Sequence, residues 1–444
     1  MRIQKLRVEK LFHCFDHEIA LKLNERVTMI YAPNGFGKTA ILRMLHGLFN
    51  GRMQVFREYP FERFEVTFED GRVLSVAPKK ALKPESEPRW RRDRVKLEID
   101  FTGCEPSTVK AEIDDVRGLG LSPSFIEQNV PGLIRLDATS WQSRSGEILD
   151  LAEVLDRYGE FIPKIFQREF VRFPEWFRDL IRTCEVNLIG TDRLQSSTAA
   201  DPSYGRSNSG FTPTVARYSQ ELAQRIESTL ANYAKMSQSL ERTFPVRLMD
   251  LSADSAMTKE EIKNKLNDFE LRREQLTETG LLDPNSIGDS LTQNPTIDDA
   301  RVPILSVFVG DTEKKLEVLD ELSRKIDLFR SVINSRFQHK HMKISKEKGF
   351  FFVTDNDQPL DATKLSSGEQ HEVIMLFELL FHVKPDALVL MDEPEISLHV
   401  VWQQQFLKDL LKMTALSHFD VLLATHSPLI IDDRWDLTVG LGDK

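Results

Sequence analysis

Residues 32–39 read Ala-Pro-Asn-Gly-Phe-Gly-Lys-Thr, after an apolar stretch that ends at Tyr31 and before an apolar-striped stretch that begins at Lys38. A glycine-rich turn between a strand and a helix is the context of a phosphate-binding loop. Gly35 and Gly37 let the backbone wrap close to phosphate oxygens, and the helix start adds inward-pointing amides and a favourable dipole. Lys38 can reach β- and γ-phosphates, and the Thr39 hydroxyl can ligate Mg²⁺. Ala32 stands where the first glycine of such loops is usual. Asn34, Gly35, Phe36, Gly37, Lys38 and Thr39 are therefore the candidate nucleotide contacts. A loop of this kind commits the chain to an α/β layout, because strand and helix must both pack on a sheet.

Three further segments fit that layout. Ala387-Leu388-Val389-Leu390-Met391-Asp392-Glu393-Pro394 runs four apolar residues into two acids, as a buried parallel strand with a charged tip does. Asp392 is the candidate holder of Mg²⁺ through water, and Glu393 the candidate general base for an attacking water. Leu365-Ser366-Ser367-Gly368-Glu369-Gln370 stands directly before a helical pattern. Ser366, Ser367 and Gly368 can form a second anion site at a helix start. Ser366 and Glu369 also have capping-box spacing, and both readings can hold together. Val421-Leu422-Leu423-Ala424-Thr425-His426-Ser427-Pro428 places His426 just past another buried strand, as a candidate γ-phosphate sensor. Ser397, Leu398 and His399 follow Glu393 closely.

The rest of the chain arranges itself around these segments. Residues 1–50 read as three strands and a helix, 62–76 as a hairpin turning at Asp70-Gly71, 94–101 as a strand, 147–183 as helical and 185–190 as a buried strand. A polar linker at 195–212 leads to helical patterns near 213–241, 258–279 and 311–338, the second opening on Thr258 and Glu261 at capping-box spacing. The stretch 281–295 is rich in turn residues. A hairpin is expected at 341–354, then helix 366–382, strand 387–391, helix 397–414 and strand 420–424. A 28-residue helix spans about 42 Å, enough for a compact subdomain and far short of a long rod.

Composition narrows the surroundings. The net charge of −10 gives no global reason to bind nucleic acid. Cys14, Cys104 and Cys184 have no metal-ligand spacing, and no run approaches a membrane span, so the expected place is the cytoplasm. One basic cluster stands out, Lys79, Lys80, Lys83, Arg89, Trp90, Arg91, Arg92 and Arg94. It reads first as a solvated hairpin loop and second as a grip on a phosphate backbone or an acidic protein. Lys340, Lys343, Lys346 and Lys348 fall on the expected hairpin.

In this order, N-G-F-G-K-T, L-S-S-G-E-Q, L-V-L-M-D-E-P-E-I-S-L-H and A-T-H-S-P resemble the SMC, RecF and OLD group of ABC-type ATPases. The resemblance covers roughly residues 1–195 and 340–430. It implies a P-loop ATPase head whose mixed sheet is built from both chain ends, with a helical insertion. The divisions would be 1–195, 196–340 and 341–444. It also implies two heads sandwiching two ATP molecules with Mg²⁺, each site taking the phosphate loop from one head and Ser366 from the other. Residues 397–399 would then line the contact between protomers. A Mg²⁺-contacting glutamine is expected after an internal strand. Gln195 is the candidate, and Arg193 is the runner-up polar contact there.

Within that group the pattern looks like the stand-alone ATPases of phage defence, above all the ATPase component of PARIS systems (the AriA family). That likeness implies a sensor and scaffold subunit, at least a head-to-head dimer and up to a hexamer. It would control a separately encoded TOPRIM-type nuclease in response to a phage-encoded trigger. Only 16 residues follow Pro428, so a nuclease is expected on another chain. A Septu-like ATPase with an HNH nuclease partner, a RecF-like DNA-repair ATPase and a transporter ATPase are the alternatives.

Overall fold

The computed structural model describes residues 1–53, 55–79, 97–103, 108–113, 126, 130, 133–136, 140–142, 148–150, 154, 174–189, 214–250, 257–282, 297–298, 301–398 and 400–441. The expectations for Lys80 to Arg94, Arg193, Gln195, the 195–212 linker, His399 and most of 283–300 lie outside them. The chain divides into two compact units, Met1–Phe211 with His382–Lys444, and Thr212–Phe381.

The first unit opens with β1 (Ile3–Leu11), β2 (Phe15–Ala20) and β3 (Val27–Tyr31), then helix α1 (Lys38–Phe49). Next come β4 (Arg63–Phe68), β5 (Val73–Pro78), β6 (Leu97–Thr102) and β7 (Thr108–Ile113), and a small sheet of β8 (Ile134–Arg135), β9 (Ser140–Gln142) and β10 (Ile148–Asp150). Helix α2 (Glu175–Thr183) and β11 (Val186–Ile189) complete its N-terminal portion. The 147–183 stretch is thus not helical throughout: residues 148–150 pair with 140–142 as a strand.

The second unit holds α3 (Thr214–Asp250), α4 (Lys259–Glu278), α5 (Val302–Arg336), β12 (Lys340–Ser345), β13 (Gly349–Thr354), β14 (Pro359–Leu360) and α6 (Ser367–Phe377). The first unit then resumes with β15 (Leu388–Asp392), α7 (Val400–Ser417), β16 (Asp420–Thr425) and β17 (Thr438–Gly440). Residues 341–381, expected within the C-terminal part of the ATPase domain, pack with the helical unit.

Two sheets organise the first unit. One is antiparallel, in the order β2-β1-β4-β5-β6-β7, and its β4–β5 hairpin turns at Asp70-Gly71 as expected. The other runs β11-β15-β16-β3-β17 with every neighbour parallel. It draws strands from both ends of the chain. β11, expected to be buried, is its edge strand, and only Val186 of its four residues is buried. Helix α1 is buried almost all round, with Ile41, Leu42, Leu45 and Leu48 in one core with Leu6, Phe64 and Val66 of the antiparallel sheet and Leu390 and Leu422 of the parallel one. Arg2 ties the ends together, donating to both carboxylate oxygens of Asp420 at 2.8 Å.

In the second unit α3 is longer than expected, 37 residues or about 55 Å. The sequence pattern stops near 241 because Pro245 cannot donate a helical hydrogen bond. The helix continues because a tertiary pair supports it there, Arg247 with Asp311 of α5, and because Arg247 also donates within the helix to Leu240 O at 2.6 Å. The capping box opening α4 forms as expected, with Thr258 Oγ1 accepting from Glu261 N. Phenylalanines fill this unit's core. Phe329, Phe350 and Phe377 meet edge-on or tilted, and Tyr218 stacks on Phe377 at 4.7 Å.

Candidate functional site

Register brings three of the expected segments to one edge. In the parallel sheet Asp392 pairs with Ala424, and Thr425 pairs with Tyr31. The loop after β3, the acids at the end of β15 and the histidine after β16 therefore all lie at the carboxyl ends of adjacent strands. That is where open α/β sheets place ligands.

The loop takes the backbone its glycines permit. Gly35 and Gly37 have φ of +88° and +85°. A Cβ on Gly37 would also stand 2.5 Å from Leu11 Cδ2, so the position has neither the dihedral nor the room for another residue. Lys38 is buried and donates to Ala32 O at 2.6 Å and Pro33 O at 3.2 Å, which engages two of its three N–H donors. His17 braces the loop from β2, its Nε2 donating to Phe36 O at 2.9 Å, and burial lowers the pKa of its ring. Phe15 packs against Phe36 at 5.3 Å. These supports from β2 were not read from the sequence, because β2 carries no loop-like signature.

Thr39, the second residue of α1, hydrogen-bonds the Asp392 carboxylate. Burial raises the pKa of Asp392, and the Thr39 bond opposes that rise. Asp392 Oδ1 is buried without a hydrogen-bond partner. A buried carboxylate oxygen left unmatched beside a hydroxyl fits a divalent cation, which prefers oxygen donors and often binds through one or two carboxylates.

Glu393 adopts a left-handed conformation, φ 45° and ψ 57°, uncommon for a residue with a side chain. Its amide is fixed to Ala424 O at 2.9 Å. Strained backbone of this kind persists where the surroundings impose it. The turn sets the Glu393 carboxylate 3.8 Å from Nδ1 of His426. That nitrogen lies closer to a residue the sequence reading did not single out, Glu395, at 3.1 Å from Oε1. The same Oε1 accepts from Thr425 Oγ1 at 2.8 Å and from His426 N at 2.9 Å. Gln403 of α7 extends the network: Nε2 donates to Glu395 O at 3.2 Å, and Oε1 accepts from Ser427 Oγ at 3.0 Å. The sequence signals for Glu395 were its place two residues past Glu393 and its presence in the segment L-V-L-M-D-E-P-E-I-S-L-H.

Of the residues 397–399 expected to line a protomer contact, Leu398 is buried in the core. The exposed apolar side chains beside Glu393 are instead Ile396, Val400 and Val401.

Ser366, Ser367 and Gly368 lie in the second unit, at the start of α6, with both serines exposed. The capping box is formed: Ser366 Oγ accepts from Glu369 N, and Glu369 Oε2 accepts from Ser366 N at 2.8 Å. Burial pushes the Glu369 carboxyl up, but its bonds from Lys340 and Ser366 outweigh that and hold it low. Lys340 is thereby neutralised, and Lys343 pairs with Asp357 at 2.7 Å. Lys79, the described member of the other basic cluster, pairs with Glu98 at 3.4 Å. Among the described residues no group of three or more His, Cys, Asp or Glu side chains is placed to hold a metal ion, and no helix is long and apolar enough to cross a membrane.

A family model described as "AAA domain, putative AbiEii toxin, Type IV TA system" matches residues 192–432, more than half of the chain. The chain belongs to this family. It is an ATPase of AAA type, with a P-loop α/β fold. Similar solved structures include an Smc head domain from Pyrococcus furiosus with an extended coiled coil, bound to the C-terminal domain of ScpA. It shares 13% identity over 99% of this chain and 93% of that one, at a TM-score of 0.34. The SMC head domain from Thermotoga maritima shares 11% identity over 99% and 94%, also at 0.34. No curated protein matches the chain.

Proposed function

We propose that this AAA-family chain hydrolyses ATP at sites shared between two copies, and that it serves as the sensor and scaffold subunit of an anti-phage system with a separately encoded nuclease. The observation that carries the hydrolytic reading is the convergence of Lys38, Thr39, Asp392, Glu393 and His426 at one edge of a parallel sheet. The glycine loop and the start of α1 would cradle the phosphates, with Lys38 moving from the loop carbonyls to a β- or γ-oxygen. Thr39 and Asp392 would hold Mg²⁺, which offsets the charge of the β- and γ-phosphates when bound. Glu393 would take the proton of the attacking water, and His426 would face the γ-phosphate. The exposed Ile396, Val400 and Val401 beside Glu393 support pairing of copies. Ser366, exposed at a helix start, would then complete a neighbour's site.

Glu393→Gln protein should bind ATP but turn over at least about 100-fold more slowly. Lys38→Ala protein should bind ATP weakly. Wild-type turnover in Glu393→Gln would remove Glu393 from this role.

The defence reading rests on the order of the motifs and on the helical unit, which is too short for a tethering rod. The matched family's description as a putative toxin of a type IV toxin–antitoxin system is in keeping with a separately encoded partner. The helices of residues 214–336 would hold that partner, and ATP state would set the grip through linkage between the two sites. A pull-down from the native host, comparing wild type with Glu393→Gln, tests this. A nuclease encoded beside this gene, with association that differs between the two baits, is the expected result. Recovery of DNA ends or replication proteins without such a nuclease would favour a RecF-like role.

A further inference from the structure

The Glu395 carboxylate stands on the turn Pro394–Ser397, directly after Glu393, and is only 8% exposed. A buried carboxylate costs several kcal/mol unless its bonds replace lost water. Here one oxygen accepts from two donors, the Thr425 hydroxyl and the His426 amide, and stands 3.1 Å from His426 Nδ1. These two bonds tie the ends of β15 and β16 together. The imidazole lies beside the same oxygen. A carboxylate oxygen at that distance repels a bare nitrogen lone pair and attracts an N–H, so it favours the tautomer with the proton on Nδ1 of His426. Nε2 is then the nitrogen left for a ligand. The other acid near the ring, Glu393, is farther from Nδ1 at 3.8 Å.

We infer that Glu395 is a positioning residue that fixes the tautomer and direction of His426. The histidine's Nε2 is thereby presented to the γ-phosphate while Glu393 is kept for the attacking water. A carboxylate beside Nδ1 of an imidazole is a recurring way of orienting a functional histidine. Gln403 and Ser427 lock the arrangement, since each bonds to the backbone or side chain of a residue in the clamp. This inference rests on the reading of Glu393 and His426 as the hydrolytic pair.

The test combines a mutant cycle with a spectrum. Glu395→Gln keeps the shape and one acceptor oxygen but loses the charge. It should lower kcat by about 10- to 100-fold, with KM for ATP changed by less than about 3-fold and the thermal midpoint nearly unchanged. If Glu395 acts through His426, adding Glu395→Gln to His426→Gln should cause no further loss of kcat. Multiplied losses in the double variant, or an unchanged kcat in Glu395→Gln, would overturn the proposal. In protein labelled with [¹⁵N]histidine, the His426 signal is assigned by its loss in His426→Gln. It should show Nδ1 protonated in wild type and a mixture of tautomers in Glu395→Gln. An Nε2-protonated ring in wild type overturns the proposal even where Glu395→Gln does not fold. If wild-type protein hydrolyses no ATP, the reading of the hydrolytic pair fails instead, and the spectrum still decides the role of Glu395.

Discussion

Glu372 has no exposed side-chain surface, and its partner Arg336 has 3%. They pair inside the second unit, joining the last residue of α5 to α6, whose cap is Ser366. Removing one member of a buried pair strands the other charge and costs about 3–5 kcal/mol, whereas replacing both with apolar residues of similar volume is often neutral. Glu372→Gln should therefore lose about 3–5 kcal/mol, and Arg336→Met with Glu372→Leu should recover most of it. For a unit of about 170 residues each kcal/mol moves the midpoint by about 2–4 °C, so the single variant should melt roughly 10 °C lower. The chain supplies its own two probes. All five tryptophans, at 90, 141, 176, 402 and 435, fall in the first unit. The long helices α3, α4 and α5 lie in the second. Helical ellipticity thus reads the unit that holds the pair, and tryptophan fluorescence checks that the nucleotide-site unit keeps its fold. An unchanged ellipticity midpoint in Glu372→Gln, or a double variant as unstable as the single one, would refute the reasoning.

Other outcomes follow from the same geometry. Ser366→Arg and Lys38→Ala proteins should each be inactive, yet an equilibrated 1:1 mixture should regain up to about a quarter of wild-type turnover, because half of random pairs are mixed and each holds one complete site; an inert mixture with subunit exchange verified argues against shared sites. Burial, helped by the nearby Arg52 charge, pushes the His46 imidazole from 6.5 down to about 4. The folded chain therefore keeps this histidine neutral where the unfolded chain binds a proton. Stability should fall by about 3 kcal/mol as pH drops from 6.5 to 4, and His46→Gln should flatten that part of the urea-midpoint profile. The Cys184 thiol, pushed by burial up to about 12, should resist iodoacetamide in native protein at pH 8 while exposed Cys14 is modified, as peptide mass mapping would report.

The strands and helices that carry the candidate site were legible because each obeys a local rule. The loop needs Gly35 and Gly37, the strand before Asp392 must be apolar on both faces, and Ser366 with Glu369 spells a cap. What escaped was set by partners distant in sequence. His17 reaches Phe36 across 19 positions, and Glu395 reaches Thr425 across 30, so neither residue is marked by its neighbours. α3 outran its pattern for the same reason: Arg247 finds Asp311, 64 residues on, and the helix survives Pro245. The edge position of β11 depended on strand order, which periodicity does not encode.

The strand order carries a consequence for synthesis. β3, which leads into the phosphate loop, lies between β16 and β17. When residues 27–31 leave the ribosome, neither of these neighbours exists, and both must wait until residues 420–440 are made. The second unit, by contrast, is one continuous stretch, Thr212–Phe381, and all its own strands and helices are made before β16 begins at Asp420. Domains generally fold as their residues become available. The interrupted unit therefore finishes last, and its loop closes over most of the chain. A nascent or prematurely stopped chain can carry a folded helical unit without a working nucleotide edge, so any partner gripped by those helices could be engaged before ATP has a place to bind.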